Sequence, residues 1–261
     1  MANNETPLVI RHDKSGVCTL TLNRPRARNA LSLSMIDAMI HNLSNIAEDP
    51  SARVVVIAGA GPAFCAGHDL KELKATPDPA ATQILFSRCS DMMMRLVRLP
   101  QPVIAKVHGV ATAAGCQLVA TADLALAGNS AEFATPGVNI GLFCTTPSVA
   151  VSRSISRKKA MEMLLTGAPI TAAAAETMGL INSTVPDDDL DETVDALAKL
   201  ITSKSAHILS LGKKAFYEQI EKPIAESYVY ASAVMAQNML DEDCTEGISA
   251  FIEKRAPNWR A

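Results

Sequence analysis

The sequence predicts an α/β core followed by a C-terminal helical region. Three observations lead to this class. Short apolar runs with the composition of buried strands, such as VVVIAG at 54–59, recur along the first part of the chain. Amphipathic helical patterns alternate with these runs up to about residue 186, and only helical patterns follow. We therefore divide the chain into a core at residues 1–200 and a helical region at 201–261.

Periodicity and breaker residues predict the elements of the first hundred residues. Residues 17–22 alternate between two faces, which indicates a strand. Apolar side chains then recur at helical spacing over 35–47, with Ser32 or Ser34 as the expected N-cap. After the buried strand, a second helical pattern at 83–99 ends at two prolines, which cannot continue a helix.

The rest of the chain continues the alternation and then becomes wholly helical. In order, the patterns predict a strand at 102–107, a helix from about Ala113, a strand at 123–128, and helices at 157–167, 171–179 and 187–203. Gly167 and Gly179 are the expected C-caps, because glycine adopts the left-handed conformation that ends a helix. Residues 205–254 are expected to be helical throughout.

Composition narrows the class of protein. The 261 residues are 48% hydrophobic and 20% charged, with a net charge of -3 and no basic cluster, which argues against a nucleic-acid partner. The N-terminal stretch lacks the pattern of a secretory signal, and no apolar run reaches membrane-spanning length. Six scattered cysteines without a CxxC pair favour reduced thiols and no metal site. We expect a cytoplasmic protein that contacts no membrane.

The first candidate site is IAGAGPAFCAGHDL at 57–70, directly after a predicted strand. Gly59 and Gly61 are spaced as in the dinucleotide-binding fingerprint, but Phe64 stands where that fingerprint needs a third small residue. A plain turn is one alternative. The other is a loop of small residues whose main-chain N–H groups face a ligand. A thiol–imidazole pair of Cys65 and His68 is conceivable, although free cysteines are usually buried hydrophobes.

The second candidate site is HGVATAAGCQLVAT at 108–121, where a strand gives way to a helix. A helix N-terminus has unpaired N–H groups and a partial positive charge, so it can bind an anion or a developing oxyanion. Ala113, Ala114 and Gly115 would let that backbone approach a substrate. Tight packing between helices explains the same small residues equally well, and both interpretations stay open.

Taken together, these stretches resemble the crotonase (enoyl-CoA hydratase/isomerase) superfamily. The matching segments follow the family's order from residue 22 to residue 259: LNRPRARNALS, VVVIAGAGPAFCAGHDLKEL, PVIAKVHGVATAAGCQLVATADLALA, AEFATPGVNIGL, AMEMLLTGAPITAAAAETMGLIN and EGISAFIEKRAPNW. The resemblance implies a crotonase-type spiral of ββα units whose C-terminal helices form a trimerisation region. It also implies a homotrimer or hexamer and an acyl-CoA thioester ligand, with no separate cofactor and no metal.

The resemblance assigns the residues of the site by position. The backbone N–H groups of His68 and Ala114 would bind the thioester oxygen as an enolate develops. Coenzyme A would contact Arg28, Ala30, Ala66, Gly67, Asp69 and Leu70, with Phe251 and Lys254 supplied by a neighbouring subunit. Further polar residues could line the pocket: Thr112, Thr135, Asn139, Cys144 and Thr145.

Two positions depart from the family's pattern. Gln117 and Gly137 stand where the family's hydratases carry catalytic glutamates. An amide can orient water but cannot act as a base near neutral pH, and glycine has no side chain. We therefore expect weak or absent hydratase activity, and a gain of activity when both glutamates are restored. The alternatives are a decarboxylase or thioesterase within the family, and a non-catalytic acyl-CoA binder or regulator.

Overall fold

A computed structural model describes residues 6–75 and 77–260 of the chain. The strands are β1 (Val9–Lys14), β2 (Val17–Leu22), β3 (Val54–Gly59), β4 (Ala63–Cys65), β5 (Val103–Val107), β6 (Val110–Thr112), β7 (Leu124–Gly128), β8 (Glu132–Ala134), β9 (Ile170–Thr171) and β10 (Ser183–Val185). The α-helices are α1 (Leu33–Ala47), α2 (Leu70–Ala75), α3 (Pro79–Arg98), α4 (Ala114–Thr121), α5 (Thr145–Ser154), α6 (Arg157–Thr166), α7 (Ala172–Met178), α8 (Leu190–Thr202), α9 (Ala206–Gln219), α10 (Ile224–Asn238) and α11 (Glu242–Glu253). Short 3₁₀ helices occur at Pro25–Ala27, Pro136–Ile140 and Asp187–Asp189.

The strands form two sheets. The larger has the order β1-β2-β3-β5-β7-β10 and is parallel except for the β1–β2 pair. The smaller has the order β4-β6-β8-β9, with an antiparallel β8–β9 pair. Each of β3, β5 and β7 runs directly into a short strand of the smaller sheet, and helical structure follows. This strand–strand–helix repeat confirms the predicted α/β spiral.

The composition of β3 explains why the large sheet lies in the middle of the core. Val55 and Ile57 pack into the main hydrophobic cluster on one face. Val54 and Val56 point to the other face, where they join a second cluster with apolar residues of α8. Because both faces are covered, the strand is apolar along its length rather than alternating.

Most predicted helix boundaries are confirmed at their caps. The Ser32 hydroxyl accepts the N–H of Met35 at 3.2 Å, so Ser32 rather than Ser34 caps α1. Gly167 and Gly179 end their helices in the left-handed conformation, as expected. The hydroxyl of Thr171 accepts the N–H of Ala174 at the start of α7.

Two expectations from the sequence were wrong. Residues 205–254 are not continuously helical: α9 ends at Gln219, and α10 begins only after Pro223, whose ring nitrogen has no hydrogen to donate. The loop expected over 57–70 contains a strand, because Ala63–Cys65 is buried and pairs with β6. That pairing explains why an apolar run follows the glycines.

The C-terminal helices expose a large apolar surface. Ile224, Tyr228, Val229, Phe251 and Ile252 are each more than two-thirds exposed. None of the helices in residues 6–75 and 77–260 is both long and apolar enough to cross a membrane. The division at residue 200 and the predicted trimerisation through this region stay predictions.

Candidate active site

Two backbone segments meet where β4 and β6 end, because these parallel strands are neighbours in the small sheet. One segment is the turn at 66–68 and the other is the start of α4. Gly67 has a φ of +94°, and a Cβ atom placed on it would lie 2.8 Å from the Cβ of Ala113 and 3.4 Å from the N of Ala114. Glycine is required here both for the conformation and for the close approach.

The two predicted N–H donors differ from the neighbouring amides in their hydrogen bonding. The flanking amides have backbone acceptors: Ala66 donates to Arg28 (3.0 Å), Asp69 to Leu31 (3.2 Å) and Ala113 to Ala134 (2.9 Å). Among the described residues, the N–H groups of His68 and Ala114 have no acceptor within the protein. Buried amides are rarely left unpaired, so two of them at one junction are suited to binding an external oxygen.

The junction before α4 is strained. Ala113 precedes the helix with a φ of 51° and a ψ of -116°, a conformation that side-chain-bearing residues seldom adopt. Such strain is worth about 1–3 kcal/mol and is retained where the surrounding structure fixes it. Here it turns the chain sharply from β6 into α4, which leaves the first N–H of the helix beside Gly67.

A cavity of about 550 Å³ opens beside this junction. Its wall is made by residues of both donor segments, of α3 and of the segment after β8: Ala66, His68, Leu70, Gln83, Phe86, Ala113, Ala114, Pro136, Gly137, Asn139, Ile140, Leu142, Phe143, Cys144, Thr145, Thr146 and Pro147. The cavity has the size of a site for a small molecule. The structure thus brings His68, Ala114 and Gly137 together on one wall.

Gln117 is not part of that wall. The residue is 4% exposed on the first turn of α4, and its Oε1 atom has no hydrogen-bond partner in the described structure. Its backbone carbonyl accepts the hydroxyl of Thr121 at 2.7 Å. Gln117 follows the donor Ala114 by three residues in the chain. Its side-chain amide cannot exchange a proton as the carboxylate of a glutamate would at this position.

Gly137 is on the wall, and nothing larger than glycine fits there. A Cβ atom at this position would lie 2.0 Å from the carbonyl oxygen of Leu142 and 2.9 Å from the Sγ of Cys144. The turn is held by a hydrogen bond from the Leu142 N–H to the Gly137 carbonyl at 2.9 Å. On steric grounds we no longer expect a gain of activity from a glutamate at 137, because the Leu142 carbonyl occupies the space that its side chain would need.

The polar side chains proposed for the pocket divide into two groups. Asn139, Cys144 and Thr145 line the cavity. Thr112 and Thr135 do not, since the Thr112 hydroxyl donates to the Ala66 carbonyl at 3.1 Å and Thr135 is fully buried. Burial raises the pKa of the Cys144 thiol, so this residue is held in its neutral form.

A thiol–imidazole pair gains no support. The Sγ of Cys65 donates to the Asn29 carbonyl at 3.2 Å, and burial raises the pKa of this thiol to about 12. Burial also lowers the pKa of the His68 imidazole, and the nearby Leu31 carbonyl offsets this only in part. Both ring nitrogens of His68 are buried without a hydrogen-bond partner in the described structure, and the ring packs edge-to-face on Phe86 at 5.0 Å. Such a pair lacks the thiolate that nucleophilic catalysis requires.

The segment of Arg28 and Ala30, assigned to coenzyme A, is tied to the turn at 66–68, since the Ala66 N–H donates to the Arg28 carbonyl at 3.0 Å. The Asp69 carboxylate forms an ion pair with Arg24 at 2.9 Å, and Arg24 also donates to the Ala30 carbonyl at 2.8 Å. Arg28 adopts a left-handed conformation with a φ of 49°. Leu70 is half-exposed at the cavity rim, whereas Phe251 and Lys254 are exposed in the C-terminal helical region.

Asn29 supports the site but was not among the residues expected from the sequence. It is fully buried, and its Nδ2 donates to the carbonyls of Ala60 (2.9 Å), Ala63 (2.8 Å) and Phe64 (3.1 Å). It thereby fixes the segment that leads to the donor at His68. Asn29 also has a left-handed φ of 56°, which asparagine tolerates better than most residues, but no feature of the sequence pattern marks this position.

Comparison with known proteins decides the family. A family model described as enoyl-CoA hydratase/isomerase matches residues 12–261. The chain belongs to the enoyl-CoA hydratase/isomerase family. Over 98% of its length, this family member is 44% identical to enoyl-CoA hydratase domain-containing protein 3, mitochondrial, of Rattus norvegicus, and the match covers 85% of that protein.

Solved structures of the family share the fold of this enoyl-CoA hydratase/isomerase family member. The crystal structure of an enoyl-CoA hydratase from Mycobacterium smegmatis aligns with a TM-score of 0.96 at 50% identity, covering 98% of this chain and all of that one. The human enoyl-CoA hydratase domain-containing protein 3 aligns with a TM-score of 0.94 at 42% identity, covering 97% and 100%. The stretches ATAAGCQLVA and FATPGVNIGLFC also resemble the branch of enoyl-CoA hydratase domain-containing protein 3, and the sequence and structural matches confirm that likeness.

Proposed function

We propose that this family member binds an acyl-CoA thioester and stabilises its enolate at the backbone N–H groups of His68 and Ala114. The observation that carries the proposal is the pair of N–H groups without internal acceptors at the junction of two glycine-dependent turns. Donors fixed in this way stabilise negative charge as it develops on the carbonyl oxygen, and each is typically worth ~10²–10³ in rate.

Ordinary hydration of a C=C bond needs more than an oxyanion hole. One group must take a proton from water and another must deliver a proton to carbon. Gln117 cannot act as a base near neutral pH, and the backbone of Leu142 fills the space beside Gly137. General acid–base help is worth ~10²–10⁴ per group. The rate of hydration should therefore be lower than that of hydratases with both glutamates by at least the contribution of one such group.

The thioester oxygen offers a direct test of the donor pair. Binding of octanoyl-CoA should be compared by calorimetry with binding of S-octyl-CoA, a thioether of the same chain without the carbonyl oxygen. We expect the thioester to bind at least tenfold more tightly, because the thioether has no carbonyl oxygen to accept hydrogen bonds from the two N–H groups. Equal affinities would refute the proposed oxyanion hole.

A second measurement addresses the reaction. Crotonyl-CoA and several acyl-CoAs should be incubated with the protein and followed by mass spectrometry. We propose slow thioester hydrolysis as the activity that these ligands can reveal. Decarboxylation, the alternative within the family, requires a 2-carboxyacyl-CoA, which should be incubated alongside them. Tight binding without any product would favour the alternative, a non-catalytic acyl-CoA binder or regulator. Hydration at the rate of hydratases with both glutamates would refute the roles given to Gln117 and Gly137.

Assembly and location belong to the same proposal. We propose a homotrimer or hexamer in which Phe251 and Lys254 contact coenzyme A bound to a neighbouring subunit, with no further cofactor. Exposed apolar residues on α10 and α11 support assembly through this region. Analytical ultracentrifugation tests the stoichiometry. We also propose a cytoplasmic location, although the Rattus norvegicus relative is named as mitochondrial, and a fluorescent fusion in the native host distinguishes the two.

A further inference from the structure

The cavity has an apolar rim that extends beyond the donor pair. Four of its lining residues are large, apolar and between 42% and 60% exposed: Leu70, Ile140, Leu142 and Phe143. They come from two segments, the start of α2 and the segment between β8 and α5, and all four line the same cavity. Contiguous exposed apolar surface beside a cavity is typical of a ligand-binding groove.

The wall of the cavity offers no partner for a charged ligand tail. Its polar side chains are the amides and hydroxyls of Gln83, Asn139, Thr145 and Thr146, together with His68. No Asp, Glu, Lys or Arg lines it in the described part of the chain. Burial disfavours the charged form of His68, so the imidazole is neutral as well. A carboxylate buried here would lose its hydration without gaining an ion pair.

The cavity is also larger than a short acyl group requires. Its volume of about 550 Å³ lies within the ~300–1,000 Å³ range of pockets that enclose whole drug-sized ligands. A four-carbon acyl group would leave much of this space, and all of the rim, without apolar contacts. Each further methylene that enters an apolar environment strengthens binding roughly fourfold.

We infer that the acyl group selected by this site is an uncharged aliphatic chain of medium or greater length, whose distal carbons lie against Leu70, Ile140, Leu142 and Phe143. This inference rests on the proposed function, since the chain is that of the bound thioester. It adds the class of acyl group, which the donor pair alone does not specify. The rim lines the same cavity as the donor residues His68 and Ala114, so the occupant that it fits is the ligand rather than a second copy of the protein.

Chain length and terminal charge provide the test. Binding of butanoyl-, octanoyl- and dodecanoyl-CoA, of succinyl-CoA and of free coenzyme A should be measured by calorimetry on the assembled protein. Affinity should rise steeply from butanoyl to octanoyl, by roughly fourfold per methylene, and continue to rise until the rim is covered. Succinyl-CoA should bind no better than butanoyl-CoA.

A rim variant and a matched control distinguish the effect of the rim from that of removing any exposed apolar side chain. Ile140→Ser with Phe143→Ser removes apolar surface from the rim, whereas Ile84→Ser removes an equally exposed residue of α3 that does not line the cavity. The double variant should lose at least ten times more affinity for dodecanoyl-CoA than for butanoyl-CoA. The control should keep the parent's ratio between these two ligands.

The outcomes distinguish this inference from the function on which it rests. If no acyl-CoA binds more tightly than free coenzyme A, the proposed function fails. If all acyl-CoAs bind with the same affinity, or succinyl-CoA binds best, the function stands and the chain-length inference is overturned. It is equally overturned if the rim variant changes the sedimentation of the protein but not its dependence on chain length, because the rim is then an interface between copies.

Discussion

Replacing Gly137 by alanine should destabilise the protein through a single contact. The new methyl group would lie 2.0 Å from the Leu142 carbonyl oxygen, well inside the distance at which carbon and oxygen repel. The carbonyl cannot swing away freely, because the Leu142 N–H is bonded to the Gly137 carbonyl at 2.9 Å. Accommodation therefore requires the whole turn from 137 to 142 to move.

The loss of stability has two sources, the steric clash with the Leu142 carbonyl and the weakening of the hydrogen bond that holds the turn. Overpacking a well-filled site costs typically 1–3 kcal/mol, and the loss of the turn's hydrogen bond adds about 0.5–1.5 kcal/mol. We expect a destabilisation of about 2–4 kcal/mol. For a chain of this size, that corresponds to a fall in Tm of roughly 5–15 °C.

Thermal unfolding followed by circular dichroism measures this fall directly. Gly141→Ala is the matched control in the same turn: its φ is +76°, but nothing lies within 4 Å of its Cβ position. That variant should lose only the backbone contribution of about 1–2 kcal/mol. If Gly137→Ala melts within about 2 °C of the parent, the reasoning from the Leu142 contact is refuted.

The same contact determines what happens when glutamates are introduced. Gln117→Glu with Gly137→Glu should not create a hydratase, because the second carboxylate cannot enter the cavity without displacing the turn. Turnover of crotonyl-CoA should stay at the parent's level, and the double variant should melt at least as early as Gly137→Ala. A large gain in hydration by a stably folded double variant would contradict this account.

Three further predictions concern the scaffold. Ser32→Ala removes the N-cap of α1 and should lower stability by about 1 kcal/mol, seen as a Tm lower by roughly 2–4 °C. Lys213→Met removes the cation 2.7 Å from Asp123, which keeps the hydrogen bonds from the Tyr217 hydroxyl and the Val103 N–H, and should cost about 3 kcal/mol in urea unfolding, a loss that Lys213→Arg should partly prevent. The hydrogen bond from Arg255 lowers the pKa of Glu246 from 4.5 to about 2, so its stabilisation is complete above pH 4.5 and disappears as the pH falls towards 2. The Tm difference between the parent and Glu246→Gln should therefore shrink over that range, and a constant difference would contradict the assignment.

Several features of the site could be predicted without coordinates. The order of segments such as HGVATAAGCQLVAT identified the family, and the small residues after two strands were consistent with a backbone that approaches a ligand. The resemblance then assigned the donors to His68 and Ala114. The family is confirmed, whereas the two donors stay a prediction; it was possible to make because close backbone approach requires small residues and helix starts have unpaired N–H groups. Both requirements are local, and local requirements are visible in sequence.

Other features depended on contacts between residues distant in the chain or on turns that bring backbone atoms together. The pairing of Ala63–Cys65 with β6 turned an expected loop into a strand. The three hydrogen bonds of the Asn29 side chain join segments about thirty residues apart. Nothing in the local pattern specifies which carbonyls such an amide will meet.

The family, the α/β alternation, most helix caps and the absence of glutamates at 117 and 137 could be predicted from the residues alone. Three features became apparent only in the folded chain: the lack of room for a side chain at Gly137, the position of Gln117 outside the cavity wall, and the rim formed by apolar residues of two segments. The physical reason is that residue identity and local periodicity are properties of neighbours in the chain. Steric exclusion by a backbone carbonyl and the lining of a cavity are instead properties of how the folded segments approach one another.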